Sequence, residues 1–161
     1  MPGTNDAALY KALEALPVAN FRAGEPVLTA GSKTGRLLIL KSGSVAILKG
    51  SIELAKVDEP GAVIGELSAL LDWPHTADVK AIEDSQFHVA DAALLQKDPV
   101  ALLHVARTLA RRLVAIDNGF VELKKQLQAG QSPSVLGRTL EKIEKAINAW
   151  AADAPPLTPG V

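Results

Sequence analysis

Residues 61–81, GAVIGELSALLDWPHTADVKA, decide the fold. Gly61 and Gly65 allow sharp turns of the backbone, and ELSALL after Gly65 is long enough for a short helix. The free N–H groups of a helix start with glycine at its mouth can hold an anion. Glu66 at that mouth would repel an anion unless its carboxylate points aside and accepts hydrogen bonds from neutral hydroxyls. The stretch therefore suits a phosphate joined to a sugar.

Short strands are predicted on both sides of this stretch, over residues 21–90. Apolar residues alternate across Ser42-Gly43, which predicts a two-residue turn, and Lys49-Gly50 predicts a second one. Glycine recurs every few residues, at Gly24, Gly31, Gly35, Gly43, Gly50, Gly61 and Gly65. Regular short strands with frequent glycine turns indicate a mainly β fold with flanking helices: a barrel, a sandwich or a roll.

Helices are predicted at both ends of the chain. Asn5 or Asp6 caps a short helix that ends at Pro17. Asp98 caps a long helix over residues 98–128, in which Pro99 takes the first helical position. Residues 1–128 thus form one domain, and residues 129–161 form a linker, a C-terminal helix over 134–150 and a Pro-rich tail.

The long helix carries a heptad pattern from Asp98 to Leu127. Its apolar residues recur at alternating steps of four and three: Leu102, Ala106, Leu109, Leu113, Ile116, Phe120, Leu123 and Leu127. In a parallel dimer Arg112 would face the partner's Asp117. The alternative is that this stripe packs on the chain's own strands, and Gly119 weakens the helix slightly. The repeat favours a homodimer through the helix.

The composition argues against an enzyme. The chain has no Cys, so it offers no thiolate metal ligand and no cysteine nucleophile. Its histidines, His75, His88 and His104, fall in three different elements, and we expect the last two to serve packing or to lie on the surface. No metal site or cofactor is therefore predicted. The start of the sequence does not resemble a signal peptide, and no window is apolar enough for a membrane span, so we expect a cytoplasmic protein.

The distribution of charge argues against direct DNA binding. Residues 1–99 carry nine Lys or Arg and thirteen Asp or Glu, whereas residues 100–150 carry eight and four. This basic excess is typical of a solvated helix surface, and nucleic-acid binding usually shows a denser stripe. A helix-turn-helix needs two helices joined by a tight turn, and one helix is predicted after residue 133. We expect that helix to contact a protein partner.

The central stretch resembles a known family. Gly65-Glu66-Leu67, then SALL, Pro74-His75-Thr76-Ala77 and Val79-Lys80-Ala81, is similar to the phosphate-binding cassette of cyclic-nucleotide-binding domains. That family includes catabolite-activator-type regulators, protein kinase A regulatory subunits and cyclic-nucleotide-gated channels. FRAGE at 21–25, LILKSGSV at 38–45 and FHVAD at 87–91 resemble the first strand, the central hairpin and the last strand of its roll. The resemblance implies a β-roll (jelly roll) followed by a long helix.

The resemblance also implies a division of labour among the site residues. Glu66 accepts the ribose 2′-hydroxyl, while Gly65, Leu67 and Ser68 contribute backbone N–H groups for the cyclic phosphate of cAMP or cGMP. Thr76 donates to the phosphate or to a purine edge. At the position of His75 the family pattern has Arg, which offers phosphate a permanently charged, bidentate fork. Histidine, with an ordinary pKa near 6.5, is mostly neutral at pH 7 and lacks that fork.

Three interpretations of His75 follow. His75 binds the phosphate in a weak or pH-sensitive site, which predicts tighter binding as the pH falls through the mid-sixes. Alternatively, the pocket is degenerate, and the domain is a ligand-free dimerisation or protein-interaction module. In the third, another cation (Lys80, Arg111 or Arg112) reaches the phosphate, or the ligand is different. We predict a regulatory sensor module that binds cAMP or cGMP weakly, in which the long helix moves as a lid.

Overall fold

The structure, a computed structural model, describes residues 4–148. Two four-stranded antiparallel sheets face each other, in the orders β1-β8-β3-β6 and β2-β7-β4-β5. The elements in chain order are α1 (Thr4–Glu14), β1 (Val18–Phe21), β2 (Pro26–Leu28), β3 (Arg36–Ser42), β4 (Val45–Lys49), β5 (Ile52–Val57), β6 (Val63–Ile64), α2 (Glu66–Leu71), β7 (Asp78–Ala81), β8 (Ser85–Asp91), α3 (Ala92–Lys97), α4 (Pro99–Gln128) and α5 (Pro133–Asn148). The predicted roll followed by a long helix is confirmed.

The core lies between the sheets and is built mainly from branched aliphatic residues. Leu37, Ile39 and Leu40 of β3 are at most 1% exposed, and Phe87 of β8 packs edge-on against Phe21 of β1. Leu95, Ala101 and Val105, from α3 and α4, belong to the same core cluster. The first turn of α4 is thus part of the domain's core, as the hydrophobic driving force requires of an amphipathic helix.

The predicted hairpin at Ser42-Gly43 is wrong. β3 pairs with β6 and β8 in one sheet, whereas β4 pairs with β5 and β7 in the other. The chain therefore changes sheets here. Gly43 adopts a positive φ of 96°, and a Cβ at this position would collide with the backbone of Asp84 and Ser85. Glycine is therefore required at position 43 because two backbone segments lie close together, and not because β3 and β4 form a hairpin. The turn at Gly50 does join two paired strands, β4 and β5.

The helices agree with the prediction in kind and differ in detail. The Asp98 carboxylate accepts hydrogen bonds from the N–H groups of Val100 and Ala101, so the predicted cap of α4 is present. Helix α3 was not predicted; it is six residues long, and its N-cap is Asp91. Helix α5 packs along α4, and α4 also contacts α1 and α3. The predicted end of the last helix at Trp150 and the tail 151–161 lie outside the described residues.

Candidate functional site

A pocket of about 140 Å³ opens beside the start of α2. It is formed by strands of both sheets together with α2 and α4. Its lining residues are Leu28, Ile47, Val63, Ile64, Gly65, Glu66, Leu67, His75, Thr76, Ala77, Val79 and Arg112. Five of the six predicted site residues, all but Ser68, therefore line one cavity. Its wall is mostly apolar, with polar groups concentrated at Glu66, His75, Thr76 and Arg112.

Gly65 brings the backbone into the left-handed conformation from which α2 starts. Its φ is 77°, and a Cβ there would lie 3.0 Å from the Arg36 carbonyl oxygen and 3.2 Å from Cε1 of His75. A side chain at this position would therefore be strained and would crowd both β3 and the imidazole. The absence of a side chain lets Glu66 and His75 approach the same cavity.

Glu66 is paired with an arginine of the long helix. Arg112 Nη1 donates to Glu66 Oε1 at 2.8 Å, and Nη2 donates to the Val63 carbonyl oxygen. The two side chains are only 14% and 18% exposed. Burial lowers the pKa of Arg112, while the charge of Glu66 and its hydrogen bond work against that effect, and the guanidinium stays protonated. The expected pairing of Arg112 with the partner's Asp117 is thus wrong, because Arg112 is turned inward.

His75 makes three hydrogen bonds with the loop between β2 and β3. Its ring Nε2 lies 2.9 Å from Oγ1 of Thr34. Its backbone N–H donates to the Ser32 carbonyl, and its own carbonyl accepts from the N–H of Gly31, both at 2.8 Å. The residue is 5% exposed. Burial lowers the pKa of His75, and the nearby Glu66 carboxylate only partly opposes this.

Ser68 lies behind the pocket. Its side chain is buried, and Oγ accepts hydrogen bonds from the N–H groups of Thr34 (3.1 Å) and Gly35 (2.8 Å). The hydroxyl thereby ties α2 to the loop that holds His75. The contribution of the Ser68 backbone N–H to an anion site stays a prediction.

Of the three alternative cations, Arg112 is the one that lines the pocket. Lys80 and Arg111 are exposed and do not line it. Sequence reasoning missed Thr34 entirely, and no motif marks it because its partner His75 is 41 positions away.

The other histidines take no part in the pocket. His88 is buried on β8, and His104 of α4 lies with Nε2 2.9 Å from the Gly61 carbonyl oxygen. Among residues 4–148 no three His, Asp or Glu side chains come together as metal ligands would. No helix in that range combines the length and apolar character needed to cross a membrane.

Comparisons with known proteins converge on one family. Residues 18–97 match the family model described as "Cyclic nucleotide-binding domain". The chain is similar in structure to the catabolite activator protein of Thermus thermophilus (22% identity, TM-score 0.58, covering 92% of this chain and 84% of that one). A cyclic nucleotide-binding domain from Methylobacillus flagellatus is also similar (19%, 0.56, 69% and 80%). So is the N-terminal domain of a transcriptional regulator from Streptomyces coelicolor (25%, 0.51, 70% and 82%). No curated protein matches the chain.

Proposed function

Residues 18–97 make this chain a member of the cyclic nucleotide-binding domain family, and from that premise we propose that it is a non-catalytic regulatory module whose pocket receives cAMP or cGMP. One observation carries the proposal: Glu66, His75, Thr76 and Arg112 line the same cavity. In the proposed complex Glu66 accepts a ribose hydroxyl, and His75 and Thr76 donate to the cyclic phosphate. Backbone N–H groups of Gly65, Leu67 and Ser68 complete the site.

The histidine makes this binding weak. Truncating one partner of a close charge pair typically costs about 2–5 kcal/mol, and neutral histidine lacks the charge of arginine. Protonation of His75 restores a charge. Because burial lowers its pKa, the gain in affinity appears below the ordinary value of 6.5.

Arg112 supplies a permanent charge to the same pocket and supports a lid role for α4. A nucleotide that donates its ribose hydroxyl to Glu66 must share the carboxylate with Arg112 or displace it. Either change alters the contact that fastens α4 to β6 and α2. Ligand binding is thereby coupled to the position of α4, and through it to α5, which packs along α4. We propose that α5 passes this change to a protein partner.

The exposed face of α4 supports a homodimer. The row Ala101, Val105, Thr108, Ala115 and Gly119 is buried within the chain itself. The predicted seam is the neighbouring row, and Leu102, Leu113, Ile116, Phe120 and Leu127 remain 40–68% exposed on it. The helix thus has two apolar faces, of which the chain buries one. We propose that a second copy covers the other.

Calorimetric titration of cAMP and cGMP at pH 7.5 and 5.5 tests the ligand. We expect weak binding by the wild type, tighter binding at pH 5.5, and tighter binding at both pH values for His75→Arg. Lys80→Arg, exposed on β7 and outside the pocket, is the control and should match the wild type. Absence of wild-type binding at both pH values would refute the proposal.

The second candidate function is a ligand-free dimerisation or interaction module. Two observations favour it: the cavity is smaller than the roughly 300–1,000 Å³ of typical ligand pockets, and Glu66 already has a partner in Arg112. The same titrations separate the candidates. If only His75→Arg binds, the pocket is intact and disabled at one position. If neither protein binds, the module acts without a nucleotide.

A further inference from the structure

Thr34 connects three parts of the site through one short side chain and its backbone. It lies in the loop between β2 and β3, outside the 61–81 stretch. Its N–H donates to Oγ of Ser68, its Oγ1 accepts from the N–H of Arg36 at 3.2 Å, and Oγ1 lies 2.9 Å from Nε2 of His75. The third contact is a hydrogen bond between the Thr34 hydroxyl and the His75 ring.

The distances to the two possible acceptors favour one direction for that contact. A hydroxyl has one proton and two lone pairs, and the Arg36 N–H occupies one lone pair. The proton has two possible acceptors: the Arg36 carbonyl oxygen at 3.4 Å and His75 Nε2 at 2.9 Å. The shorter distance is that of an ordinary hydrogen bond, and the longer one is at the limit. The distances favour donation from Thr34 to Nε2, which leaves the proton of the neutral ring on Nδ1.

We propose that Thr34 is a positioning residue that holds neutral His75 as its Nδ1–H tautomer, so that the ring presents an N–H donor to an anionic oxygen of the ligand. The inference rests on the proposed function and deepens it. Arginine donates at any pH, whereas a histidine donor depends on protonation or on tautomer. Thr34 makes the donor available without protonation.

The charges around the ring fit this assignment. Glu66 and Arg112 line the same pocket and are paired with each other; the charge of Glu66 raises the pKa of His75, but the lowering by burial is the larger effect. Lys33, beside Thr34, is paired with Asp72 at the surface, and Arg36 is exposed at the start of β3. Burial lowers the pKa of His75, so the ring is neutral at pH 7.5. At that pH an anionic ligand would therefore accept a hydrogen bond from the Nδ1–H of neutral His75.

Nitrogen NMR of the ligand-free chain, ¹⁵N-labelled at histidine, tests the tautomer at pH 7.5. His75→Gln identifies the His75 signals by their loss. We expect Nδ1 to have the shift of a protonated nitrogen and Nε2 that of an unprotonated one. The reverse pattern in the wild-type protein would overturn the proposal without the need for any variant at Thr34.

Two substitutions of Thr34 test its role. Thr34→Val removes the hydroxyl at nearly constant volume, and Thr34→Ser keeps it. We expect Val to shift the His75 tautomer towards Nε2–H and to weaken cAMP or cGMP binding by about two- to tenfold, the effect of one neutral hydrogen bond. The Thr34→Ser variant should keep both the wild-type tautomer and the wild-type affinity. A Val variant that keeps the Nδ1–H tautomer would overturn the proposal. If the tautomer is confirmed but the wild type binds no nucleotide, the ligand role of Thr34 and His75 and the proposed function are both overturned.

Discussion

Two mostly buried charges, Arg112 and Glu66, stabilise each other across the boundary between α4 and the roll. Removing one partner of a buried pair leaves the other without compensation and typically costs about 3–5 kcal/mol. Since 14% and 18% of these side chains remain exposed, we expect Arg112→Met to lower the free energy of unfolding by about 2–3 kcal/mol. Urea denaturation at pH 7.5 measures the change.

Arg111→Met is the matched control for this prediction. Arg111 precedes Arg112 on the same helix and is exposed, so its replacement should change the free energy of unfolding by less than about 0.5 kcal/mol. Equal losses for the two variants would show that the pair contributes nothing specific to stability.

All three histidines make the fold sensitive to acid. Burial lowers the pKa of His75, His88 and His104 below the 6.5 of the unfolded chain. Below pH 6.5 the unfolded state therefore binds more protons than the folded state. The stability is fully present above pH 6.5 and decreases as the pH falls from there towards the folded-state pKa values. We expect a lower free energy of unfolding at pH 5.5 than at pH 7.5.

His88 permits a test of that pH dependence away from the pocket. Its Nδ1 is buried and has no hydrogen-bond partner in the described part of the chain. His88→Leu removes the group that must be protonated in the core, so the decrease between pH 7.5 and 5.5 should be smaller than in the wild type. A variant with the full decrease would show that His88 does not contribute to it.

The sequence predicts the site residues that are neighbours in the chain. Gly65, Glu66 and Leu67 share one turn, and His75 follows after a short helix, so a local pattern is enough to place them together. Thr34 is 41 positions from its partner His75 in the sequence, and Arg112 is 46 positions from its partner Glu66. Their places depend on how the loop and α4 pack on the roll, which no local spacing encodes.

At the scale of elements, Gly119 allows α5 to lie close against α4. In the sequence this glycine only weakens a helix, but in the structure it is buried, and a Cβ would collide with the Ile143 side chain. Alanine normally favours a helix by about 1 kcal/mol over glycine. Here overpacking outweighs that gain, and we expect Gly119→Ala to lower the free energy of unfolding by about 1–2 kcal/mol.

Gly137→Ala in α5 is the control for Gly119→Ala. A Cβ at Gly137 would meet nothing within 4 Å, so this substitution should raise the free energy of unfolding by about 0.5–1 kcal/mol. Urea denaturation of both variants shows whether each substitution raises or lowers the free energy of unfolding. A stabilising effect of Gly119→Ala would contradict the close packing of α4 and α5.

Turn signals predict where strands end better than they predict which strands pair. The glycines at positions 43 and 50 are similar in sequence context, yet β4 and β5 form a hairpin while β3 and β4 lie in different sheets. The difference comes from Asp84 and Ser85, whose backbone closely approaches Gly43. Such long-range contacts decide the sheet topology. By contrast, the cap of α4 is predictable because Asp98 and its N–H partners lie within three residues.

At the scale of the molecule, the two apolar rows of α4 explain why the heptad pattern is so regular. A helix that only packed on its own domain would need one row, and the buried row from Ala101 to Gly119 already supplies it. The adjacent row, with Leu113, Phe120 and Leu127 more than half exposed, would leave an apolar strip in water in a monomer. In the proposed homodimer, a second copy of the chain would contribute the same row about a twofold axis and remove both strips from water.

Phe120 is the most sensitive position for testing this dimer, because it is 68% exposed and lies on the seam. We expect light scattering to show the wild type as a dimer and Phe120→Glu as a monomer, since two carboxylates would face each other at a core position of the coiled coil. Val121→Glu is the control: Val121 is 51% exposed, and the heptad spacing places it next to a core position and outside the seam, so this variant should stay dimeric. A Phe120→Glu dimer as stable as the wild type would place the contact between copies elsewhere, and the exposed row of α4 would then need a different partner.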